Sequence, residues 1–244
     1  MKLYGLGGVG TGKLGNQVFA GKSGVQIVRQ YQPVVANPNT AAQVETRAKM
    51  KLASQVAAVV SPAIAIAPEG NKTKRNLFIS RNYSNIGYAE ETARITLNSL
   101  QLTKGTLAFV PITASVGEGG EISAQPSVNP AADIDKIAYC VVSQDENGGL
   151  SYVESKVVDK NSNNQFPFES NSGALPGKRY TVLAYGIRVN SERAALKLGQ
   201  LDAPTADNIA KIVASRSLNH SDITLTQTSG TSVICEQQSS PVNP

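Results

Sequence analysis

The feature that most constrains this chain is a run of short apolar segments after about Ala93, each closed by a turn cluster. Ile95-Thr96-Leu97, Leu107 to Val110, Ile122-Ser123-Ala124, Lys136 to Val142, Tyr152 to Val158 and Tyr180 to Ile187 have the length and composition of strands. Between them fall Lys104-Gly105, Glu118-Gly119-Gly120, Glu146-Asn147-Gly148-Gly149 and Pro176-Gly177. Strands at that spacing predict a β-sandwich of immunoglobulin-like or fibronectin-like type over residues 91–201. The strongest hairpin signal is Asn147-Gly148, which suits a tight turn. Leu196, Leu198 and Leu201 read as the closing strand.

The segments before this region have another texture. Residues 1–38 hold Gly5, Gly7, Gly8, Gly10, Gly12 and Gly15, which leave little side chain to pack and predict a flexible or partner-ordered arm. Inside it, Gln17-Val18-Phe19 and Val25 to Tyr31 alternate as short strands around a turn at Gly21 to Gly24. Residues 39–90 read as helical. Thr40 and Gln43 have capping-box spacing, and Val44, Ala48, Leu52, Val56 and Val59 form one apolar stripe. Pro62 and Pro68 stop that helix near Val60. A second helix is expected over residues 72–84 with Leu77 and Phe78 inward. Residues 202–244 read as an extension: a short helix capped by Thr205 and Asp207, a hairpin of Ile223 to Thr226 with Ser232 to Ile234 over Ser229-Gly230, and a loose tail. The whole is α+β and mainly β.

The residues for several chemistries are missing. The chain has one His and two Cys, so a zinc site of four Cys and His ligands cannot be built from it. Any catalytic triad would have to use His220, which sits on a polar turn and reads as a surface residue. Gly7 to Leu14 nearly matches a phosphate-binding loop, but Leu14 stands where a hydroxyl should hold magnesium. The overlapping G-x-G-x-x-G matches at Gly5 and Gly10 lack a βαβ unit, since no helix is expected before residue 40. Asp133/Asp135 and Asp145/Glu146 fall in turns, where acidic residues are common, and neither pair extends into a calcium loop. Cys140 reads as a buried free thiol. No apolar run reaches a membrane span, and MKLYGLGGVGTG lacks the apolar core of a signal peptide. No cofactor or metal is expected, and the reading is non-enzymatic.

The charge layout is more specific. The net charge of +5 is the sum of two unlike regions. Residues 1–81 carry 11 Lys and Arg against Glu45 and Glu69, a net of +9, while the remainder nets −4. A basic arm and helix pair on an acidic β-module suits an acidic partner or phosphate. The assembly or phosphate-contact candidates are Lys13, Lys22, Arg29, Arg47, Lys49, Lys51, Lys72, Lys74 and Arg75. Tyr4, Phe19 and Tyr31 are too few to stack bases sequence-specifically, so nucleic-acid contact would be nonspecific.

An ordered series of motifs carries a family resemblance. Gly12-Lys13-Leu14-Gly15-Asn16-Gln17-Val18 is followed by Gly24-Val25 to Arg29, then by Asn37-Pro38-Asn39-Thr40 with Gln43 and Arg47-Ala48-Lys49. Leu77 to Tyr83 and Asp135-Lys136-Ile137 continue it. The series resembles an uncharacterised protein family, a domain of unknown function, of Bacteroidetes and their phages. The resemblance covers about residues 10–85 and fades past Ala93. It implies a virion structural role, with copies of the chain, other virion proteins and packaged DNA as partners, and the virion and the host cytoplasm during assembly as locations. The expectation is therefore a capsid- or head-associated structural protein of a Bacteroidetes-infecting phage, assembling through its basic arm and helices without contacting a membrane. The alternatives are a nonspecific nucleic-acid-binding accessory protein and a bacterial surface or adhesion β-sandwich protein.

Overall fold

The computed structural model describes residues 11–22, 25–34, 39–107, 110–128, 134–200, 205–215, 218 and 221–235. Outside them lie residues 1–10 of the arm, Ser23-Gly24, the Asn37-Pro38 turn, Ala108-Phe109, Asp133, Leu201, Pro204, His220 and the tail from 236. The chain divides into two units, Met1–Gln43 and Val44–Pro244.

In the first unit the alternating segments form a three-stranded antiparallel meander of β1 (Gly12–Leu14), β2 (Gln17–Lys22) and β3 (Val25–Gln30). Gly15 turns β1 into β2 at φ 56°, a left-handed conformation that glycine adopts without a Cβ penalty. The expected Gly21–Gly24 turn is shorter than its glycines suggested. Gly21 stays in the ladder opposite Gln26, and Lys22 pairs with Val25, because a two-residue connection keeps more ladder bonds.

The second unit carries α1 (Ala41–Val59) from its start inside the preceding unit, followed by α2 (Lys74–Asn82). The α1 stripe sinks gradually into the core. Val44 is exposed and Leu52 half-buried, while Ala53, Val56, Ala57 and Val60 are buried. Pro62 lies in a single 3-10 turn, Ser61–Ala63, that ends the helical run. The start of α2 is set by Thr73, whose hydroxyl accepts from the Asn76 amide at 3.3 Å, and Leu77 and Phe78 are buried. A hairpin of β4 (Ile86–Ala89) and β5 (Thr92–Ile95) follows.

The remaining elements are β6 (Ile112–Val116), β7 (Ile122–Pro126), β8 (Lys136–Gln144), β9 (Leu150–Asp159), β10 (Phe168–Glu169), β11 (Arg179–Val189), α3 (Glu192–Gly199), α4 (Ala206–Ala214), β12 (Ile223–Leu225) and β13 (Ser229–Ile234). The fold is mixed α and β and mainly β. A small sheet has the order β10-β7-β6, and the principal sheet runs β12-β11-β8-β9 with β13 also on β11. The β8–β9 hairpin turns at Asp145 to Gly149 as its Asn-Gly signal predicts, with Gly148 at φ 80°.

The central strands β8 and β11 are apolar on both faces, and each face has its own core. Tyr139, Val141, Tyr180, Val182 and Ala184 meet Ile122, Ala124, Phe166 and Phe168 below the small sheet. Tyr139 anchors that core: its ring lies 5.0 Å from the Phe168 ring and its hydroxyl donates to the Phe166 carbonyl at 2.8 Å. On the other face Ala138, Cys140, Leu183, Tyr185 and Ile187 join Val56, Val60, Phe78, Ile209 and Val213 from the helices. The helical segment and the β-region therefore share one core. Each large apolar side chain so buried contributes roughly 1.5–3 kcal/mol.

Three expectations are corrected. Ile95-Thr96-Leu97 is not a strand: β5 ends at Ile95 and Leu97–Ser99 is a 3-10 turn, which the Leu100 amide closes by donating to the Leu97 carbonyl at 3.1 Å. Leu196 and Leu198 do not close a strand: they lie in α3, which the Ser191 hydroxyl caps by accepting from the Ala194 amide. Glu-Arg-Ala-Ala-Leu-Lys-Leu is a run of good helix formers, and the leucine alternation was incidental, with Leu198 buried and Leu196 67% exposed. The C-terminal hairpin is not formed either. β12 and β13 both pair antiparallel with β11, end to end, as one strand with an extra residue at Thr226 to Thr228.

Candidate interaction surface

The basic residues named from the sequence fall into two groups. In the first unit, strand register places Lys13, Val18 and Arg29 in one row across the three strands. Cross-strand partners share a face, and residues two apart along a strand return to it. Ala20 and Ile27 therefore lie on the face of Lys13 and Arg29. The Lys13 ammonium sits 3.4 Å from the centroid of the Tyr31 ring, a cation–π contact. The opposite face is uncharged and holds Leu14, Gln17, Phe19, Gln26, Val28 and Gln30. β1 and β3 are exposed along their whole length. Lys22 closes β2 opposite Val25. Gly12–Leu14 form an edge strand, not the loop before a helix that a phosphate-binding loop requires.

In the second unit the basic residues collect around α1, α2 and α4. Arg47, Lys51 and Ser54 follow one another at helical spacing along α1, and Arg47 and Lys51 are exposed. Arg75 extends this row, since its guanidinium donates to the Ser54 carbonyl at 3.2 Å. Lys74 donates to the Ser61 carbonyl at 3.4 Å. These two cations sit in the first turn of α2, where the helix dipole disfavours positive charge, and they are held there by carbonyls near the end of the α1 run. Lys49 is used differently: it pairs with Glu45 at 2.6 Å, and that hydrogen bond raises its ammonium above the ordinary lysine value.

A groove of about 630 Å³ opens beside α2 and is lined by Asn71, Lys72, Thr73, Lys74, Lys211 and Ser215, among others. Lys211 comes from α4, far away in sequence, and was not among the sequence candidates. It pairs with Asp207 at 2.5 Å. Glu69 nearby is occupied by Lys104 at 2.6 Å, which holds its carboxyl below the usual range with smaller help from Arg81 and Lys72. The groove is therefore a cationic feature without an acidic side chain in its lining. A second cavity of about 620 Å³, lined by Ala65, Val213, Leu218, Ile223 and Leu225, is apolar with the Glu69–Lys104 pair at its rim.

The acidic candidates have structural work. Asp135 accepts from the Val189 amide at 2.7 Å, and Asp145 accepts from the Gly149 amide at 2.5 Å inside the hairpin turn. Among the described residues no group of three His, Cys, Asp or Glu is placed to hold a metal ion, and no helix is long and apolar enough to cross a membrane. Cys140 and Cys235 are free thiols, and burial pushes the Cys140 thiol up to about 12. No family model matches the chain, and no curated protein matches it.

Proposed function

We propose that this chain is a non-enzymatic structural protein that works by assembly through its basic N-terminal third. The observation that carries this reading is the sheet of residues 12–30: three strands with cations and no acid, of which β1 and β3 are exposed along their whole length. Three strands need a buried apolar face to be stable, so such a sheet suits a surface completed by a partner. The motif series resembling a family of Bacteroidetes and their phages supports a capsid- or head-associated place in a phage virion. The two sheets that enclose the Tyr139–Phe168 core support an immunoglobulin-like or fibronectin-like reading of the body, with helices added on the outer face. Purified particles examined by mass spectrometry test the reading. The chain should co-sediment with them at a fixed copy number, and its absence from washed particles would reject a virion role.

The groove with Lys72, Lys74 and Lys211 favours one second reading, nonspecific binding of nucleic-acid phosphate. It predicts affinity that falls steeply with salt and is indifferent to base sequence.

A further inference from the structure

Two sheet faces of opposite charge carry exposed side chains. One is the N-terminal sheet, whose Lys13–Val18–Arg29 row is cationic; residues 1–43 contain no Asp or Glu. The other is the outer face of β6-β7-β10. Its inner face is closed by Ile112, Ile122, Ala124 and Phe168, and outward stand Thr113, Ser115, Gln125 and Glu169. Glu118 and Glu121 are exposed in the turn between β6 and β7. These three strands and that turn contain no Lys or Arg. A cavity of about 350 Å³ opens on the same face.

We infer that the occupant of the small-sheet face is a second copy of this chain, seated through the Lys13–Arg29 face of its N-terminal sheet. This rests on the assembly reading and names its partner and both surfaces. Two N-terminal sheets cannot meet through this face, because Lys13 and Arg29 would oppose their own kind, and two small sheets cannot meet through Glu118, Glu121 and Glu169 for the same reason. Opposite charge selects the unlike pair. Val18 and Ile27 supply an apolar centre between the cations. A contact between unlike surfaces leaves one of each open at every step, so it builds rings or open chains and not closed two-fold dimers.

The test uses full-length protein and charge reversal on exposed residues, with circular dichroism to confirm that each variant folds. Wild type should show mass rising with concentration in sedimentation velocity, reduced by salt. K13E/R29E and E118K/E121K/E169K should each associate roughly 100-fold more weakly or not at all, since like charges then face each other. All five reversals in one chain should restore association. Mixing the two variants should restore assembly as alternating chains or rings, because the wild-type pair of surfaces and the doubly reversed pair are both compatible between them. Association untouched by either reversal, or lost and not restored by combining them, overturns the inference, as does a wild type that stays monomeric. Association that requires added duplex DNA makes phosphate the occupant and overturns it too. If the variants fail these tests while the chain still co-sediments with particles, the assembly reading stands and this interface falls.

Discussion

The Thr226 hydroxyl accepts from the buried Gly186 amide at 2.7 Å, doing for β11 what a strand carbonyl normally does. Its own carbonyl is turned away to accept from the Thr103 hydroxyl at 2.7 Å, and its hydroxyl donates to the Gln227 carbonyl at 2.9 Å. This side-chain substitution in the ladder lets the chain take an extra residue between β12 and β13 without leaving β11. Thr226→Val keeps the shape and removes the hydroxyl, leaving the Gly186 amide buried without an acceptor. The expected loss is about 1–3 kcal/mol in denaturant unfolding, with Thr226→Ser close to wild type. Equal losses for the two variants would show that packing, not the hydrogen bond, matters here.

The β4–β5 hairpin turns on Glu90 and Glu91, with φ of 51° and 59°. Both are in the left-handed region, where side-chain-bearing residues are strained by roughly 1 kcal/mol or more and where Asn-Gly is favoured in a two-residue loop. The Glu90 carboxylate reaches Arg94 at 3.3 Å, but this exposed pair adds little. Replacing Glu90-Glu91 with Asn-Gly should therefore stabilise the protein by about 1 kcal/mol. A thermal melt with an unchanged or lowered midpoint would count against strain at this turn.

This hairpin also marks where the sequence stopped being legible. The turns at Asn147-Gly148 and Pro176-Gly177 could be read because their residues have the conformations required, and the Thr73 and Thr205 caps lie at or beside the expected helix starts. Glu90-Glu91 gives no turn signal, so nothing local announces β4. Leu196 and Leu198, two residues apart, fit a strand locally, while the Ser191 cap several residues earlier decides for helix. Ser229-Gly230 looks like the turn of a hairpin, and nothing local announces that Thr226 bonds to a residue 40 positions earlier. In the site, the basic third was plain from charge counting, but Lys211 reaches the groove only through the packing of α4. The uninterrupted apolar runs of β8 and β11 carried a usable signal: strands apolar at every position are covered on both faces.

Cys140 should be silent to thiol reagents in the folded protein. It is buried among the side chains beneath the helices, and its thiol is held up to about 12 by desolvation, so almost no thiolate is present near neutrality. Cys235 is only partly buried. A chromogenic disulfide reagent at pH 8 should modify one thiol in native protein and two in denaturant, with Cys235→Ser abolishing the native reaction. Two fast thiols in the folded state would contradict the buried placement.

The same burial fixes the alkaline limit of stability. Cys140 titrates near 9 when unfolded and about 12 when folded, and burial raises Tyr139 and Tyr185 in the same direction. Between those values the unfolded chain has released a proton that the folded chain still holds. Stability contributed by the neutral thiol is complete below pH 9 and declines toward pH 12, by about 1.4 kcal/mol per pH unit for each such group. Unfolding free energy measured from pH 8 to 11 should fall, and tyrosinate absorbance from the buried rings should appear together with unfolding. Cys140→Ala should make the decline shallower. A flat profile across this range would sink the argument.

The cationic groove gives the last prediction. Lys72, Lys74 and Lys211 line it from two helices and the turn before one of them, and Lys74 is already tied to the Ser61 carbonyl. Lys72 and Lys211 are the residues to change, since neither is needed to hold α2 against α1. If the groove binds phosphate, wild-type affinity for duplex DNA should fall linearly on a log-log salt plot. Lys72→Gln with Lys211→Gln should reduce that slope by about 2 and weaken binding equally for unrelated sequences. Arg47 and Lys51, farther along α1, serve as comparison sites. If reversing them changes the slope while the groove variant does not, the phosphate contact runs along the helix face instead of through the groove.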